Sequence, residues 1–243
     1  MRRVPPWPAW FEHPPQAEPG RVLVVLTGAG ISAESGLSTF RDKGGLWEKY
    51  SIYEVATPEA WIKNPQLVLD FYNERRAQLA EVQPNPAHHL LRELEKHFLV
   101  IILTQNVDDL HERAGSTYIL HLHGELTKAR STVDENLIYE IGYAPIRLGD
   151  TCERGSQLRP HVVWFGEEVP AYTFAAKWVM QADILVVIGS SLQVYPAAGL
   201  LDEAQRARRK ILIDPKPTLT QGVEVIAAPA SEGVHRLTEI LLS

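Results

Sequence analysis

Short apolar runs alternate with amphipathic stretches along most of this chain. A stretch with helical periodicity covers 87–97, and apolar runs of strand length occupy 22–26, 98–103, 118–120, 184–188 and 210–213. Such runs are typical of buried parallel strands, and their alternation with helices indicates βαβ units. The pattern therefore predicts an α/β fold, a Rossmann-like parallel sheet with helices on both faces.

Two segments depart from this alternation and predict a smaller inserted lobe. Segment 47–83 is expected to be helical, with a helix start at Thr57-Pro58-Glu59, whereas the polar segment 127–159 is expected to be irregular. The Rossmann-like body then comprises 21–46, 84–126 and 160–243, and a Pro-rich segment, 1–20, is expected to lie over it. Open α/β sheets bind ligands at the carboxyl ends of their strands, so the cleft is expected between body and lobe.

The first apolar run leads directly into glycines. Gly28 and Gly30 follow it, and Gly36 comes six residues later, so the spacing differs from the common Gly-x-Gly-x-x-Gly pattern. Glycine lets the backbone turn sharply and approach a ligand closely. Free amides at the start of the following helix are expected to bind a pyrophosphate.

Composition and charge narrow the class of protein. The chain has 243 residues, 45% of them hydrophobic, and a formal net charge of −6, which argues against general nucleic-acid binding and suits basic protein substrates. No apolar run has the length of a membrane span, no signal-peptide pattern opens the chain, and the single Cys152 cannot form an internal disulfide. We therefore expect a cytoplasmic protein that associates with neither membrane nor nucleic acid.

Five motifs in fixed order, at 28–32, 36–41, 104–108, 121–124 and 189–192, resemble those of the sirtuins. The resemblance spans 22–214, most of the chain. It implies a protein-lysine deacylase that consumes NAD as a co-substrate and acts on proteins carrying acylated lysines. The products would be the free lysine, nicotinamide and an O-acyl-ADP-ribose.

The resemblance also implies residues for NAD. Asn106 and Asp108 would hold the nicotinamide, Gln105 would lie near the ribose, and Asp214 stands where many sirtuins have Asn. From the residues alone, Asn106 could instead cap a helix beginning near Val107. The full set of implied NAD contacts is Gly28, Ala29, Gly30, Ile31, Phe40, Arg41, Gln105, Asn106, Asp108, Gly189, Ser190, Ser191 and Asp214.

One histidine has a catalytic role in the resemblance. His121 and His123 alternate in an extended run and should face opposite ways, so one of them can meet the cleft. The sirtuin pattern selects His123, followed by Gly124, as the general base for a ribose hydroxyl, and leaves His121 structural.

Substrate contacts are implied in two places. The segment with Val162, Val163, Phe165, Gly166 and Glu167 resembles the one that pairs with substrate backbone, although it also fits an ordinary core strand.

The second place concerns the acyl group. Tyr72 and Arg75 project from one face of a predicted helix, where a hydroxyl and a guanidinium side by side can bind a carboxylate. They match residues of sirtuins that remove succinyl and malonyl groups, and Ala56 matches the small residue that widens their pocket. The alternative for Arg75 is a solvated helix position.

A large departure from the resemblance concerns zinc. Most sirtuins have two Cys-x-x-Cys pairs for a structural zinc, whereas here the first stretch, 129–134, has no cysteine and the second, 149–155, has Cys152 alone. One thiolate cannot complete a tetrahedral cysteine site, so no metal is expected. The lobe is instead expected to depend on hydrogen bonds within 150–154 and on apolar packing by Leu137, Ile138, Tyr139, Ile141, Tyr143 and Ile146.

The favoured hypothesis is a zinc-free NAD-dependent desuccinylase or demalonylase with weaker deacetylase activity. The alternatives are a general deacetylase or long-chain deacylase, a protein mono-ADP-ribosyltransferase, and a non-catalytic NAD-sensing module. A sensor has no need of a base, so His123 argues against the last of these.

Overall fold

A six-stranded parallel sheet forms the body of the protein. The computed structural model describes residues 1–16, 18, 20–37 and 50–243. The strands are β2 (Val22–Thr27), β3 (Leu99–Thr104), β4 (Ile119–His121), β8 (Ile184–Ile188), β9 (Arg209–Ile213) and β10 (Glu224–Ile226), in the order β10-β9-β8-β2-β3-β4. All neighbouring pairs are parallel. The predicted apolar runs coincide with five of these strands, and the short β10 was not predicted.

Helices cover both faces of this sheet, as predicted. On one face α4 (Pro86–Leu94) and α8 (Ala230–Leu242) pack against residues such as Val25 and Ile102. On the other face α6 (Tyr172–Gln181) and α7 (Leu200–Glu203) pack against residues such as Leu26 and Leu103. A single turn of helix, α5 (Leu110–Arg113), follows β3.

The smaller lobe combines helices with a second sheet. Its helices are α1 (Ile52–Val55), α2 (Pro58–Lys63) and α3 (Pro65–Glu81), and its antiparallel strands are β1 (Arg2–Val4), β6 (Ile138–Glu140), β5 (Gly124–Ser131) and β7 (Leu158–Val162), in that order across the sheet. Thr57 caps α2 by accepting a hydrogen bond from the Ala60 N–H at 3.1 Å, as its sequence predicted. The expectation of irregular structure at 127–159 is wrong for 127–131, 138–140 and 158–159, which are strand residues, and correct for most of the remainder.

That core contains most of the residues expected to hold the lobe together. Its buried members are Leu69, Ala129, Leu137, Tyr139, Ile146, Cys152 and Leu158. Tyr143 does not belong to it, since the side chain is 40% exposed and its hydroxyl donates to Asp109 Oδ2 at 2.6 Å. Asp150 accepts a hydrogen bond from the Arg147 N–H at 2.7 Å, a donor outside the 150–154 segment where such bonds were expected.

The first eleven residues connect the lobe to the body. Strand β1 pairs with β6 of the lobe, whereas the aromatic residues that follow it pack on the body. The Trp10 ring lies 6.1 Å from that of Trp178 on α6, and the Phe11 ring stacks on Phe174 at 4.3 Å. One short segment is therefore anchored in both parts of the molecule.

Candidate functional site

Three glycines bring the loops after β2 and β8 into direct backbone contact. A Cβ on Gly28 would lie 2.7 Å from the Gly189 carbonyl oxygen, and one on Gly30 would lie 2.6 Å from Gly189 Cα. Gly189 itself has φ +60°, in the left-handed region. Any side chain at these positions would separate the two loops, which form the floor of the cleft.

The loop after β2 continues as two short 3₁₀ turns, Ala29–Ile31 and Ala33–Ser35. The N–H groups of Gly30, Ile31 and Ser32 donate to carbonyls of Gly189, Gly28 and Ala29 respectively. The expectation of free amides is therefore wrong for these three, because Gly30 donates to the loop after β8 and the other two donate within the turn. Ile31 has its side chain in the core under the sheet.

A cleft with a cavity of about 530 Å³ opens at the carboxyl ends of the central strands. This volume lies in the range of roughly 300–1,000 Å³ that is usual for ligand pockets. The predicted site residues that line it are Gly28, Ala29, Gly30, Ala56, Tyr72, Arg75, Gln105, Asn106, Asp108, His123, Val162, Val163, Phe165, Gly166, Glu167, Gly189, Ser190, Ser191 and Asp214. Phe40 and Arg41 lie outside the described residues.

His123 lies at the centre of this cleft. Its Nδ1 is 3.0 Å from the Gln105 carbonyl oxygen, which can only accept, so Nδ1 carries the proton and Nε2 presents a lone pair. Burial lowers the pKa of His123 below its usual 6.5, and the hydrogen bond to Gln105 opposes part of that shift. The ring is therefore neutral near pH 7 and able to accept a proton.

Both ring nitrogens of His121, in contrast, have hydrogen-bond partners. Its Nδ1 lies 2.9 Å from the Asn106 carbonyl oxygen, and its Nε2 lies 2.8 Å from Glu112 Oε1. The Glu112 and Glu125 carboxylates outweigh the opposing effect of burial and raise the pKa of His121 to about 10. This residue has the structural role that the sequence assigned to it.

Amide and carboxylate groups after β3 occupy the inner end of the cleft. Asn106 Nδ2 donates to the Gly28 carbonyl at 3.2 Å and to Ser32 Oγ at 3.1 Å, and Gln105 Nε2 donates to Ser190 Oγ at 2.9 Å. Burial raises the pKa of Asp108, against hydrogen bonds from Ser32 and the Leu110 N–H. The alternative that Asn106 caps a helix near Val107 is wrong, because α5 begins at Leu110.

The side wall of the cleft is formed by α1 and α3. Ala56 and Tyr72 are buried, and the Arg75 guanidinium centre lies 5.7 Å and 5.9 Å from the ring centroids of Phe71 and Tyr72. Burial raises the pKa of Tyr72 to about 12, although the Arg75 charge opposes the shift. Tyr72 therefore keeps its hydroxyl proton, and Arg75 lines the cavity rather than lying on a solvated helix face.

The segment after β7 forms the opposite edge of the cleft. Strand β7 ends at Val162, so the residues beyond it do not continue a core strand. The N–H groups of Val163 and Phe165 donate to the carbonyls of His123 and Ala56 at 2.9 Å and 3.0 Å. Any backbone pairing of a ligand with these two residues would use their carbonyl oxygens.

Some residues of the cleft wall were not singled out from the sequence. Trp164 and Val107 each lie between two predicted site residues in the sequence, and that position could have identified them as part of the cleft wall. Lys216, Glu34 and Tyr195 also line the cavity. Glu34 lies within the glycine loop, whereas Lys216 and Tyr195 lie outside the motifs on which the resemblance rests.

The region that would hold zinc in the resemblance does not fit a metal. Cys152 donates from Sγ to Ser131 Oγ at 3.4 Å, so the one thiol of the two stretches that would supply cysteines already contacts a hydroxyl. In the described ranges, no group of three or more His, Cys, Asp or Glu side chains is arranged to hold a metal ion. Within the same residues, no helix is long and apolar enough to cross a membrane.

Curated relatives cover nearly the whole chain. The Sir2 family model matches residues 28–196. A Bacteroides thetaiotaomicron protein named NAD-dependent protein deacylase is 55% identical over 228 residues, covering 90% of this chain and 97% of the relative. A Helicobacter pylori protein of the same name is 56% identical over 222 residues, covering 90% and 93%.

Solved structures of Sir2 homologues have the same fold. A complex of one homologue with NAD has a TM-score of 0.81 at 42% identity and covers 90% of each chain. A Sir2 complex with a deacetylated peptide and 3′-O-acetyl ADP-ribose has a TM-score of 0.76 at 30% identity, covering 90% of this chain and 93% of that one.

Proposed function

Because the chain belongs to the Sir2 family and is an NAD-dependent protein deacylase, we propose that it prefers lysine acyl groups that end in a carboxylate, such as succinyl and malonyl. The observation that carries this proposal is that Tyr72 and Arg75 line the same cavity as His123. Acetyl-lysine is then a weaker substrate of the same site.

The cleft fits NAD. The contact between Gly28, Gly30 and Gly189 leaves a floor without side chains that a pyrophosphate can approach closely. Asn106 and Asp108 supply amide and carboxylate groups for a carboxamide, and Asp214 at the end of β9 supplies an acceptor for ribose hydroxyls. NAD, when bound, supplies the ribose carbon that takes the acyl oxygen as nicotinamide leaves.

His123 is proposed as the general base of this reaction. Its Nε2 lone pair is directed by the hydrogen bond of Nδ1 to Gln105, and its lowered pKa keeps it unprotonated near pH 7. It would take the proton of a ribose hydroxyl. The carbonyls of Val163 and Phe165, with Gly166 beside them, are proposed to pair with the substrate backbone.

The acyl preference follows from charge. A guanidinium beside two aromatic rings, with a protonated Tyr72 hydroxyl next to it, offers several donors to a carboxylate. Burial lowers the pKa of Arg75, but an arginine still carries its charge at neutral pH. An apolar long chain would bury that charge without a new partner, so the pocket favours acidic acyl groups over long aliphatic ones.

The proposed partners are proteins with acylated lysines, in the cytoplasm, rather than nucleic acid. The formal net charge of −6 suits basic, lysine-bearing substrates and opposes the binding of a polyanion.

A peptide panel tests the preference. One lysine peptide is prepared in acetyl, malonyl, succinyl and long-chain forms, and kcat/KM is measured for each with NAD. We expect the two acidic forms to react fastest, with release of nicotinamide and an O-acyl-ADP-ribose. A faster long-chain or acetyl reaction would contradict the preference, and label from NAD retained on the protein would favour ADP-ribosyl transfer.

A further inference from the structure

A largely buried ion pair joins Arg159, which lies outside the cavity lining, to Glu167, which lines the cavity. Arg159 on β7 is 8% exposed, and its Nη1 and Nη2 donate to the two carboxylate oxygens of Glu167 at 2.6 Å and 3.1 Å. Arg130 on β5 also reaches this carboxylate, at 3.3 Å. Such a bidentate pair fixes orientation as well as distance.

The same pair fixes Trp164. The Arg159 guanidinium centre is 3.2 Å from the Trp164 ring centroid, so the cation lies directly on the ring face. Glu167 Oε2 accepts a hydrogen bond from the Trp164 N–H at 2.8 Å, and the Glu167 N–H donates to the Trp164 carbonyl at 3.0 Å. Both the backbone and the ring of Trp164 are thus held by these two charged residues.

Trp164 connects the Arg159–Glu167 pair to the proposed substrate site. Its side chain is 2% exposed, lines the cavity, and belongs to the same apolar cluster as Ala56 and Tyr72. The next residue, Phe165, is tied to Ala56 by the backbone hydrogen bond described above. A displaced Trp164 ring would therefore move the pocket wall and the edge proposed to pair with peptide.

We propose that Arg159 is a positioning residue that sets substrate affinity and acyl selectivity by clamping Trp164 through Glu167. The inference rests on the proposed function for the identity of the pocket. Arg159 is absent from the cavity lining and acts through Trp164, so its substitution is expected to change peptide binding. Glu167, predicted from the sequence as a peptide contact, lines the cavity, and its carboxylate binds Arg159 and Arg130.

Steady-state kinetics of Arg159→Met, Glu167→Gln and the double variant test this inference. We expect each single variant to raise KM for succinyl-lysine peptide by about ten- to a hundredfold, or about 1.4–2.8 kcal/mol of binding free energy, with little change in kcat or in KM for NAD. The double variant should resemble the worse single variant, because both break one clamp. Arg159→Lys keeps the charge but loses the bidentate geometry, and should fall between wild type and Arg159→Met.

The matched control is Arg154→Met, which removes another arginine of the lobe, one that pairs with Asp134 and has a side chain that is 63% exposed. It should leave all constants unchanged. Unchanged peptide KM in folded Arg159→Met, or additive losses in the double variant, would overturn the inference. A lower kcat together with comparably raised KM values for peptide and NAD, without recovery in Arg159→Lys, would also overturn the inference. Such a result would indicate general damage to the fold.

The proposed acyl preference can be wrong while the inference about Arg159 is right, and the experiment distinguishes the two. The KM effect is measured with acetyl-lysine as well as succinyl-lysine peptide, so it remains visible if wild type has no preference for acidic groups. A KM effect on both peptides without wild-type preference would support the clamp and refute the pocket assignment.

Discussion

At the residue scale, one hydrogen bond determines what His123 can do. Because the Gln105 carbonyl accepts from Nδ1, the proton-accepting nitrogen is the one on the other side of the ring. Burial shifts the pKa in the direction that favours the neutral base. The arrangement needs no carboxylate partner to orient the imidazole.

The variant His123→Ala should retain NAD binding and lose deacylation. Loss of a general base typically lowers the rate by about 10²- to 10⁴-fold, whereas the glycine floor and Asn106 are unaffected. Calorimetric titration with NAD and turnover of an acyl peptide measure the two properties. Turnover close to that of wild type would contradict the role of His123.

At the element scale, histidines are buried where α4 meets α5. His88 is fully buried, and its ring lies 4.9 Å from that of His111. Burial lowers the pKa of His88 to about 4 and that of His111 well below the usual value. Both rings are therefore neutral in the folded protein over the range in which a free histidine becomes charged.

Acid should destabilise the protein through these histidines. Between about pH 6.5 and pH 4 the unfolded chain binds protons that folded His88 does not, so the free energy of unfolding falls as pH falls, by up to about 1.4 kcal/mol per pH unit for one residue. His88→Gln removes this titration. Denaturant unfolding at several pH values should show that the free energy of unfolding of His88→Gln depends less steeply on pH than that of wild type.

The control for this prediction is His235→Gln, which changes an exposed histidine on α8. Its pH dependence should match that of wild type. If His88→Gln also kept the wild-type dependence, the buried-histidine explanation would be wrong.

The aromatic residues after β1 should contribute measurably to stability. Trp10 contacts Phe11, Tyr118 and Trp178, and loss of a half-buried side chain of this size costs about 2 kcal/mol. In a chain of this length, Trp10→Ala should lower Tm by about 4–8 °C. Tyr53→Ala, at a side chain that is 82% exposed, is the control and should leave Tm unchanged. An unchanged Tm in Trp10→Ala would mean that the segment is only loosely attached.

At the scale of the whole molecule, the lobe is held by apolar packing and by the N-terminal segment. Cys152 belongs to an apolar cluster with Leu137, Ile146 and Leu158. Strand β1 adds a fourth strand to the lobe sheet while the following residues pack on the body. Both features stabilise the lobe where the resemblance would place a metal.

Purified protein should therefore contain no stoichiometric zinc, and a strong chelator should leave its Tm unchanged. A structural metal contributes directly to folding free energy, so its removal would be visible in a melting curve. Elemental analysis and thermal unfolding with and without chelator are the measurements. One zinc per chain would contradict this account of the lobe.

The body could be predicted from the sequence because its strands are continuous apolar runs that need no distant partner to be recognised. The small sheet could not, since β1 and β6 are three-residue strands that lie far apart in the chain. The pairing of Arg159 with Glu167 could not be predicted for a different reason, because it depends on a turn that brings Glu167 back to β7. Site residues on motifs were predictable, whereas the residues that support them were not.

The variant Arg75→Met tests the central claim, that this deacylase selects acidic acyl groups through the Arg75 guanidinium. Loss of one partner of a shielded ion pair costs roughly 2–5 kcal/mol, or about 30- to several-thousand-fold in kcat/KM. An acetyl group is too short to reach Arg75, so its kcat/KM should change little.

The measurement is the ratio of kcat/KM for succinyl-lysine and acetyl-lysine forms of one peptide, in wild type, in Arg75→Met and in a control variant. The control is Arg92→Met, which removes an arginine on α4 that forms an ion pair with Glu95. We expect the ratio to collapse in Arg75→Met alone. A ratio that is the same in all three proteins would contradict the claim.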